Sequence, residues 1–238
     1  MVDRELCDSR EKAKRAVIAG RVRINGQLVH KASDRVRSED SISLEGLDPF
    51  VSRGGHKLEH ALKHFQIDVT GLTLIDIGAS TGGFTDCLLQ RGAARVFAVD
   101  VGHGQLAWKL RQDPRVTVME KTNARFLKPS DFQASIDMAV VDCSFISLRL
   151  ILPPASSLIH EGGKILALIK PQFEAGRREV SQGRGVIRDA STHQRVLDEL
   201  AGFVDASTTL HWRGSTESPL LGPAGNKEFL ALIEVQKK

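Results

Sequence analysis

The chain contains no tyrosine, two tryptophans and ten phenylalanines. That is too few aromatics for a broad stacking platform of the kind that holds single-stranded nucleic acid. Cysteine is equally scarce. Cys7, Cys87 and Cys143 lie far apart with no C-x-x-C pair, which argues against a disulfide framework or a thiolate zinc site and fits a reducing compartment. No eighteen apolar residues follow one another, so no membrane-spanning helix is expected. Asp3, Arg4 and Glu5 stand where a secretion signal carries its apolar run, and a cytoplasmic location is expected. The dinucleotide spacing G-x-G-x-x-G is also missing: Gly78 is followed by Ala79-Ser80-Thr81 before Gly82-Gly83, an arrangement unsuited to a pyrophosphate.

What is present is ordinary in bulk and uneven in distribution. At 238 residues, with 41% hydrophobic and 26% charged residues, the chain has room for one full α/β domain and a smaller one. The net charge is +4, yet between Ser9 and Arg37 nine Lys or Arg face only Glu11 and Asp34. This concentration of positive charge at one end points to a polyanionic partner.

Ser9 is a plausible N-cap for a basic amphipathic helix over Arg10–Ala19, with Ala13, Ala16 and Val17 on one face and Gly20 as its terminator. Val22 and Ile24 then alternate with Arg21 and Arg23, and Asn25-Gly26 signals a hairpin returning through Leu28-Val29. Ser9 to Arg15 and Ala19 to Gly26 resemble the S-four RNA-binding domain. The resemblance implies RNA contacts from Arg10, Lys12, Lys14, Arg15, Arg21 and Arg23 on one surface. Residues 1–46 are assigned to this small α+β domain, 47–53 to a linker and 54–238 to the larger domain.

The larger domain opens with Ser52-Arg53-Gly54-Gly55-His56-Lys57-Leu58, the start of a helix with Leu58, Ala61, Leu62 and Phe65 on its core face and Lys57 off that face. His56, His60 and His64 recur at helical spacing; without neighbouring thiolates or carboxylates they are expected to be a solvated face, and no metal site is expected. Leu72–Ile77 reads as a strand buried on both faces, followed by the glycine turn and a helix over Thr85–Arg91. Further strands are expected at Arg95–Asp100, Val116–Met119, Ile136–Val141, Lys164–Ile169, Ala206–Trp212 and Phe229–Val235, with helices near His103–Arg111, Leu148–Ile159 and Thr192–Phe203. The fold class is α/β: a doubly wound, seven-stranded Rossmann-like sheet, its last strands able to pair antiparallel at one edge.

Asp76 before the turn and Asp100 closing the next strand suit a ligand with a cationic amino-acid end and a ribose diol, which S-adenosylmethionine has. Gly78, Ala79, Ser80, Gly82 and Gly83 are expected at its methionine end, Asp100 at its ribose and Asn123 at its adenine edge. Phe145 has two open readings, adenine pocket or core. Strand ends also carry Asp142 and Lys170, and Glu228 opens the last strand.

Lys57, Asp142, Lys170 and Glu228 resemble the Lys-Asp-Lys-Glu tetrad of the FtsJ-like ribose 2'-O-methyltransferases. With the basic module and Lys170-Pro171-Gln172-Phe173-Glu174-Ala175-Gly176, the chain is similar to the TlyA (haemolysin A) family. That resemblance implies methyl transfer from S-adenosylmethionine to a cytidine 2'-hydroxyl of ribosomal RNA, with ribosomal RNA or ribosomal subunits as partners and no membrane. Lys170 is expected to act as general base, with Lys57 repelling its proton, Asp142 orienting it and Glu228 holding Lys57 or the ribose. Arg177, Arg178 and Arg184 lie in a segment, Arg177–Arg188, that reads either as a flap over RNA or as a solvated loop. Two other functions compete: an RNA-binding protein without catalysis, which the complete tetrad opposes, and a membrane-lytic protein, which the lack of a long apolar amphipathic stretch opposes.

Overall fold

The computed structural model describes every residue except Glu5, Asp8, Glu45, Leu47, Thr208, Lys237 and Lys238, and except the side chains of Arg177, Arg178 and Gln182. Within it the chain forms two units, Met1–Pro49 and Phe50–Lys238.

In the first unit, Ser9 accepts a hydrogen bond from Lys12 N at 3.2 Å and so starts helix α1, Arg10–Ile18. Asn25 and Gly26 both take left-handed backbone, at φ 50° and 81°, as the tight turn between β1 (Val22–Ile24) and β2 (Gln27–Leu28) requires. A third strand, β3 (Ile42–Leu44), pairs on the other side of β1. It is too short to announce itself by periodicity. Asn25 fixes its approach, accepting from Ser41 N and donating to Asp40 Oδ1, each at 2.8 Å. Val17, Val22 and Val29 are the buried apolar residues under this sheet.

The second unit begins with α2 (Gly54–His64), whose Leu58, Ala61 and Leu62 are buried. The sheet strands are β4 (Thr73–Ile77), β5 (Arg95–Val99), β6 (Val116–Met119), β7 (Ile136–Val141), β8 (Ile159–Ile169), β9 (Leu210–Glu217) and β10 (Phe229–Val235). Their spatial order is β6-β5-β4-β7-β8-β10-β9, with β10 antiparallel to both of its neighbours. Alternation in β4 sends Leu74 to one face and Ile75 and Ile77 to the other. The Leu74 face is covered by α2 and α3 (Gly83–Gln90), the Ile75 face by α5 (Leu152–Leu158) and α8 (Ala190–Asp205).

Several elements differ from the sequence reading, each for a local reason. Residues 103–107 are not helical, because Glu120 accepts from Gly104 N and pairs with Arg111, pinning a loop before the single turn α4 (Trp108–Arg111). Helix α5 starts at Leu152 rather than Leu148 because Pro153 and Pro154 lack N–H donors and belong in a first turn. Strand β8 extends back to Ile159 through an irregular stretch at Gly162, and β9 is shifted to Leu210–Glu217 by its pairing with the whole of β10. The segment after Lys170 contains the short helices α6 (Pro171–Glu174) and α7 (Arg177–Gln182), with Glu179 of α7 paired to Arg195 of α8 at 2.6 Å.

The strand order reverses between β4 and β7, and such a reversal leaves a crevice at the carboxyl ends of the strands. Gly78 sits there at φ 89°, and a Cβ on it would lie 2.5 Å from the carbonyl oxygen of Asp142. No other residue type fits both the backbone and the gap.

At the start of α2, a Cβ on Gly55 would lie 2.2 Å from the Phe50 ring, whereas one on Gly54 makes ordinary 3.5 Å contacts. Gly55→Ala should therefore lower the unfolding free energy by about 1–3 kcal/mol through overpacking. Gly54→Ala should be neutral or gain up to about 1 kcal/mol in helix propensity. Denaturant titration of the two variants checks the contrast, and equal stabilities would mean that Phe50 yields freely.

Candidate active site

Four charged side chains meet at the carboxyl end of the sheet as two ion pairs. Lys57, in the first turn of α2, lies 2.5 Å from Glu228 Oε2, and the two residues are only 8% and 1% exposed. Lys57 is thus buried, although it lies off the apolar stripe of its helix. Lys170, directly after β8, lies 2.5 Å from Asp142 Oδ1, directly after β7, and its Nζ also donates to Ser144 Oγ at 2.7 Å. Lys57 and Asp142 both line a cleft of about 200 Å³ together with Ser52, Arg53, Gly54, Gly78–Thr81, Gly83, Phe84 and Pro223. Each ammonium thus has its own carboxylate. The repulsion between bare lysine charges expected from the sequence is largely neutralised, since a buried charge persists only when paired.

Below the glycine turn lies Asp76, fully buried. Its Oδ2 accepts from Thr85 N at 2.9 Å and Thr85 Oγ1 at 2.6 Å, while its Oδ1 is buried with no hydrogen-bond partner. Burial pushes its carboxyl up to about 7 against the lowering effect of Thr85, and the nearby Asp142 and Asp100 carboxylates add to the rise. An orphaned buried oxygen fits a ligand that brings a cation. Asp100 accepts from Ser80 N at 2.8 Å and Gly102 N at 2.6 Å, which sets its carboxylate against the turn. These residues fit the amino-acid and ribose ends of S-adenosylmethionine.

Residues 50–234 match the protein family described as FtsJ-like methyltransferase, and residues 1–42 match the S4 domain. The chain belongs to the FtsJ-like methyltransferase family. It is 48% identical over 233 residues to YqxC of Bacillus subtilis, covering 97% of this chain and 82% of that one. It is 43% identical over 240 residues to the 16S/23S rRNA (cytidine-2'-O)-methyltransferase TlyA of Mycobacterium tuberculosis, covering 99% and 88%. A solved structure from Streptococcus thermophilus superposes with a TM-score of 0.78 at 46% identity, covering 98% of this chain and 85% of that one.

In this FtsJ-like methyltransferase the other expected site residues are placed as follows. Gly78, Ala79, Ser80 and Gly83 line the cleft. Gly82 does not. Its left-handed backbone, φ 97°, turns the chain into α3, with its Cα packed toward Leu106 and Leu110. Asn123 caps a short 3₁₀ turn, its Oδ1 accepting from Arg125 N and Nε. Phe145 belongs to no core: it is 91% exposed at φ 64°, with its ring 5.1 Å from that of Phe173.

The histidine row is only partly solvated. His56 packs edge-on against Phe50 and His60 Nε2 lies 3.3 Å from Thr216 Oγ1, whereas His64 is exposed. Among the described residues no three His, Cys, Asp or Glu side chains gather as a metal would require.

In the first unit, Arg10, Lys12, Lys14, Arg15 and Arg21 are exposed, while Arg23 is half-buried and donates to Gly26 O. Arg10 and Lys14 share a groove of about 570 Å³ with Arg4, Lys31 and Arg37 over a floor including Val17 and Val22. The hairpin's Arg21 and Arg23 do not line it, so helix and connecting loop, rather than helix and hairpin, supply its charge. The side chains of Arg177 and Arg178 lie outside the described residues; Arg184 is exposed.

Sequence reasoning missed Ser52, Arg53 and Pro223 as cleft walls and Ser144 as a partner of Lys170. The motif Ser52–Leu58 pointed toward the first two. Nothing in the sequence marked Pro223 or Ser144, whose roles come from loops closing in space.

Two tests follow from the burial of these charges. Glu228→Ala, which strands Lys57, should cost about 3–5 kcal/mol of stability. The paired change Lys57→Met with Glu228→Leu should recover most of it, as read by denaturant unfolding. For Asp76 the folded carboxyl titrates at about 7 and the unfolded one near its ordinary 3.8. The folded state therefore keeps a proton that the unfolded state has lost, and stability declines as pH rises from about 4 to about 7. In Asp76→Asn, melting temperatures across that window should lack this component of the slope.

Proposed function

We propose that the protein transfers a methyl group from S-adenosylmethionine to a cytidine 2'-hydroxyl of ribosomal RNA, with Lys170 as the general base. The observation that carries this reading is the convergence of Lys170–Asp142 and Lys57–Glu228 beside the cleft at the glycine turn. It is supported by the relative from Mycobacterium tuberculosis whose name states that reaction.

When bound, S-adenosylmethionine supplies a methyl carbon on a sulfonium whose leaving group is a neutral thioether. The remaining work falls to the chain's own side chains. Asp76, with Oδ1 unpartnered, and the turn at Gly78–Ser80 hold the amino-acid end, and Asp100 holds the ribose. Lys170, once it has released its own proton to solvent, would take the 2'-hydroxyl proton, a contribution typically of about 10²- to 10⁴-fold. Asp142 fixes the direction of the amine, while Glu228 keeps Lys57 at the cleft wall. Phe145 presents an exposed ring one residue beyond Ser144, where one base can stack for about 1–3 kcal/mol.

The exposed Arg and Lys of the first unit bind RNA phosphates. Such binding weakens steeply with salt, because displaced counterions are recaptured. The protein is read as cytoplasmic, where its RNA substrate is found. No described helix is long and apolar enough to cross a membrane.

Mapping 2'-O-methylation on ribosomal RNA from cells with and without this protein tests the reaction. A cytidine methylation should vanish with the gene and return with the wild type. Lys170→Ala should slow single-turnover methylation by about 10²- to 10⁴-fold with cofactor binding retained. An unchanged methylation map would eliminate the enzyme reading in favour of RNA binding alone.

A further inference from the structure

A surface guanidinium with no carboxylate beside it is available to an anion, and it holds a flexible polyanion best when the backbone beneath it is fixed. Arg184 and Arg188 are both exposed, and neither has a hydrogen bond or an ion pair with any of the described residues. Cations on the neighbouring elements are already engaged. Arg195 lies 2.6 Å from Glu179 and 2.7 Å from Glu199, Arg149 3.3 Å from Glu199, and Lys227 3.0 Å from Glu217. We propose that Arg184 and Arg188 form a phosphate-binding edge beside the cleft, which grips the RNA strand next to the target nucleotide. The inference rests on the reading of RNA as the substrate.

The segment that carries the two arginines is anchored from below. Asn226, 1% exposed, spends both ends of its amide on it: Oδ1 accepts from Ile187 N and Nδ2 donates to Gly185 O, each at 2.9 Å. His193 of α8 is buried as well, and its Nε2 lies 3.1 Å from Ile187 O. A carbonyl oxygen only accepts, so Nε2 is the nitrogen that carries the hydrogen. Ile187 is itself buried, with its N–H and C=O both taken, and the arginines flank this anchor on either side. On the other side of Gly185, Arg184 N donates to Ser181 O at 3.1 Å and Gly183 N to Glu179 O at 3.2 Å, closing the end of α7. Held in this way, the segment is not a free flap, and ordering it costs RNA binding little.

Asn226 also joins this segment to the cleft. Its carbonyl accepts from Gly222 N at 2.8 Å and so closes the loop whose Pro223 lines the cleft. Gly222 in turn abuts Glu228, since a Cβ on it would lie 2.4 Å from Glu228 Oε1. The arginines are thus tied, through one buried amide, to the cleft wall and to the start of the last strand. Their chemistry suits phosphate, because a guanidinium presents a planar fork of N–H donors to two oxygens at once. The apolar residues between them, Val186 and Ile187, are half-buried and buried, so none is offered to a base or to a lipid surface. The contact is therefore with the RNA backbone, and it positions the strand without reading its sequence.

The test uses the full chain and ribosomal RNA from cells lacking it, and compares wild type with two double variants, Arg184→Ala with Arg188→Ala and Arg184→Lys with Arg188→Lys. It measures the RNA Kd across a salt series, the Kd for S-adenosylmethionine, and single-turnover methylation at saturating RNA. In the Ala pair the slope of log Kd against log salt should fall by about 1 for each arginine, and RNA binding at low salt should weaken by about 10- to 50-fold. Its Kd for S-adenosylmethionine and its rate at saturating RNA should stay within about twofold of wild type, because a phosphate contact acts on RNA binding alone. The Lys pair keeps both charges and should keep the slope. An unchanged slope in the Ala pair overturns the inference. So does a loss of affinity equal at low and high salt, or a slope lost as fully in the Lys pair. The reaction reading fails separately: a wild type that binds RNA with the full slope but methylates no cytidine removes the reaction and leaves the phosphate site, whereas normal methylation beside an unchanged slope removes the site alone.

Discussion

A charged side chain taken out of water needs an opposite charge, and this requirement organises the second unit. Glu228 is 1% exposed and Lys57 8%, so neither can be charged at its position without the other. Lys57 stands at the start of the first helix of that unit and Glu228 at the start of its last strand. Their pairing ties the beginning of the unit to its end and brings a cation to the cleft. Lys170 and Asp142 do the same for two adjacent parallel strands, whose carboxyl ends they terminate. The charges that can do chemistry also fix the elements that carry them.

The crevice between these pairs is a consequence of strand order. Because β4 sends connections to β5 on one side and has β7 on the other, nothing crosses the sheet edge where they diverge. Gly78 lets the two strand ends approach to the point where a single methyl group would collide. Asp76 is buried beneath, its carboxyl raised to about 7 by desolvation, so it is matched to a ligand that supplies positive charge. The same geometry that makes the sheet close-packed leaves Asp76 Oδ1, Asp142 Oδ1 and Glu228 Oε1 without hydrogen-bond partners around the cleft.

Much of this was legible along the chain, because buried parallel strands are continuous apolar runs and their polar termini stand out. Asp100, Asp142 and Lys170 each end such a run, and Asp76 stands one residue before the end of its own, just ahead of the glycine turn. Elements with weak local signals were read less well. The loop before α4 depends on Glu120 from another strand, β9 takes its limits from pairing with β10, and β3 has only three residues. Phe145 is 91% exposed and so departs from the core reading, and its ring contact with Phe173 joins loops 28 residues apart.

The sequence by itself determined the α/β class, the two-part organisation of charge and the glycine turn, because each is encoded in residues that are neighbours in the chain. The tertiary structure decided who pairs with whom. Lys57 meets Glu228, Lys170 meets Asp142 and Ser144, and Arg10 and Lys14 share a groove with Lys31 and Arg37. Partnership between distant charges depends on how strands are ordered and where loops close, and no periodicity in a linear chain records either.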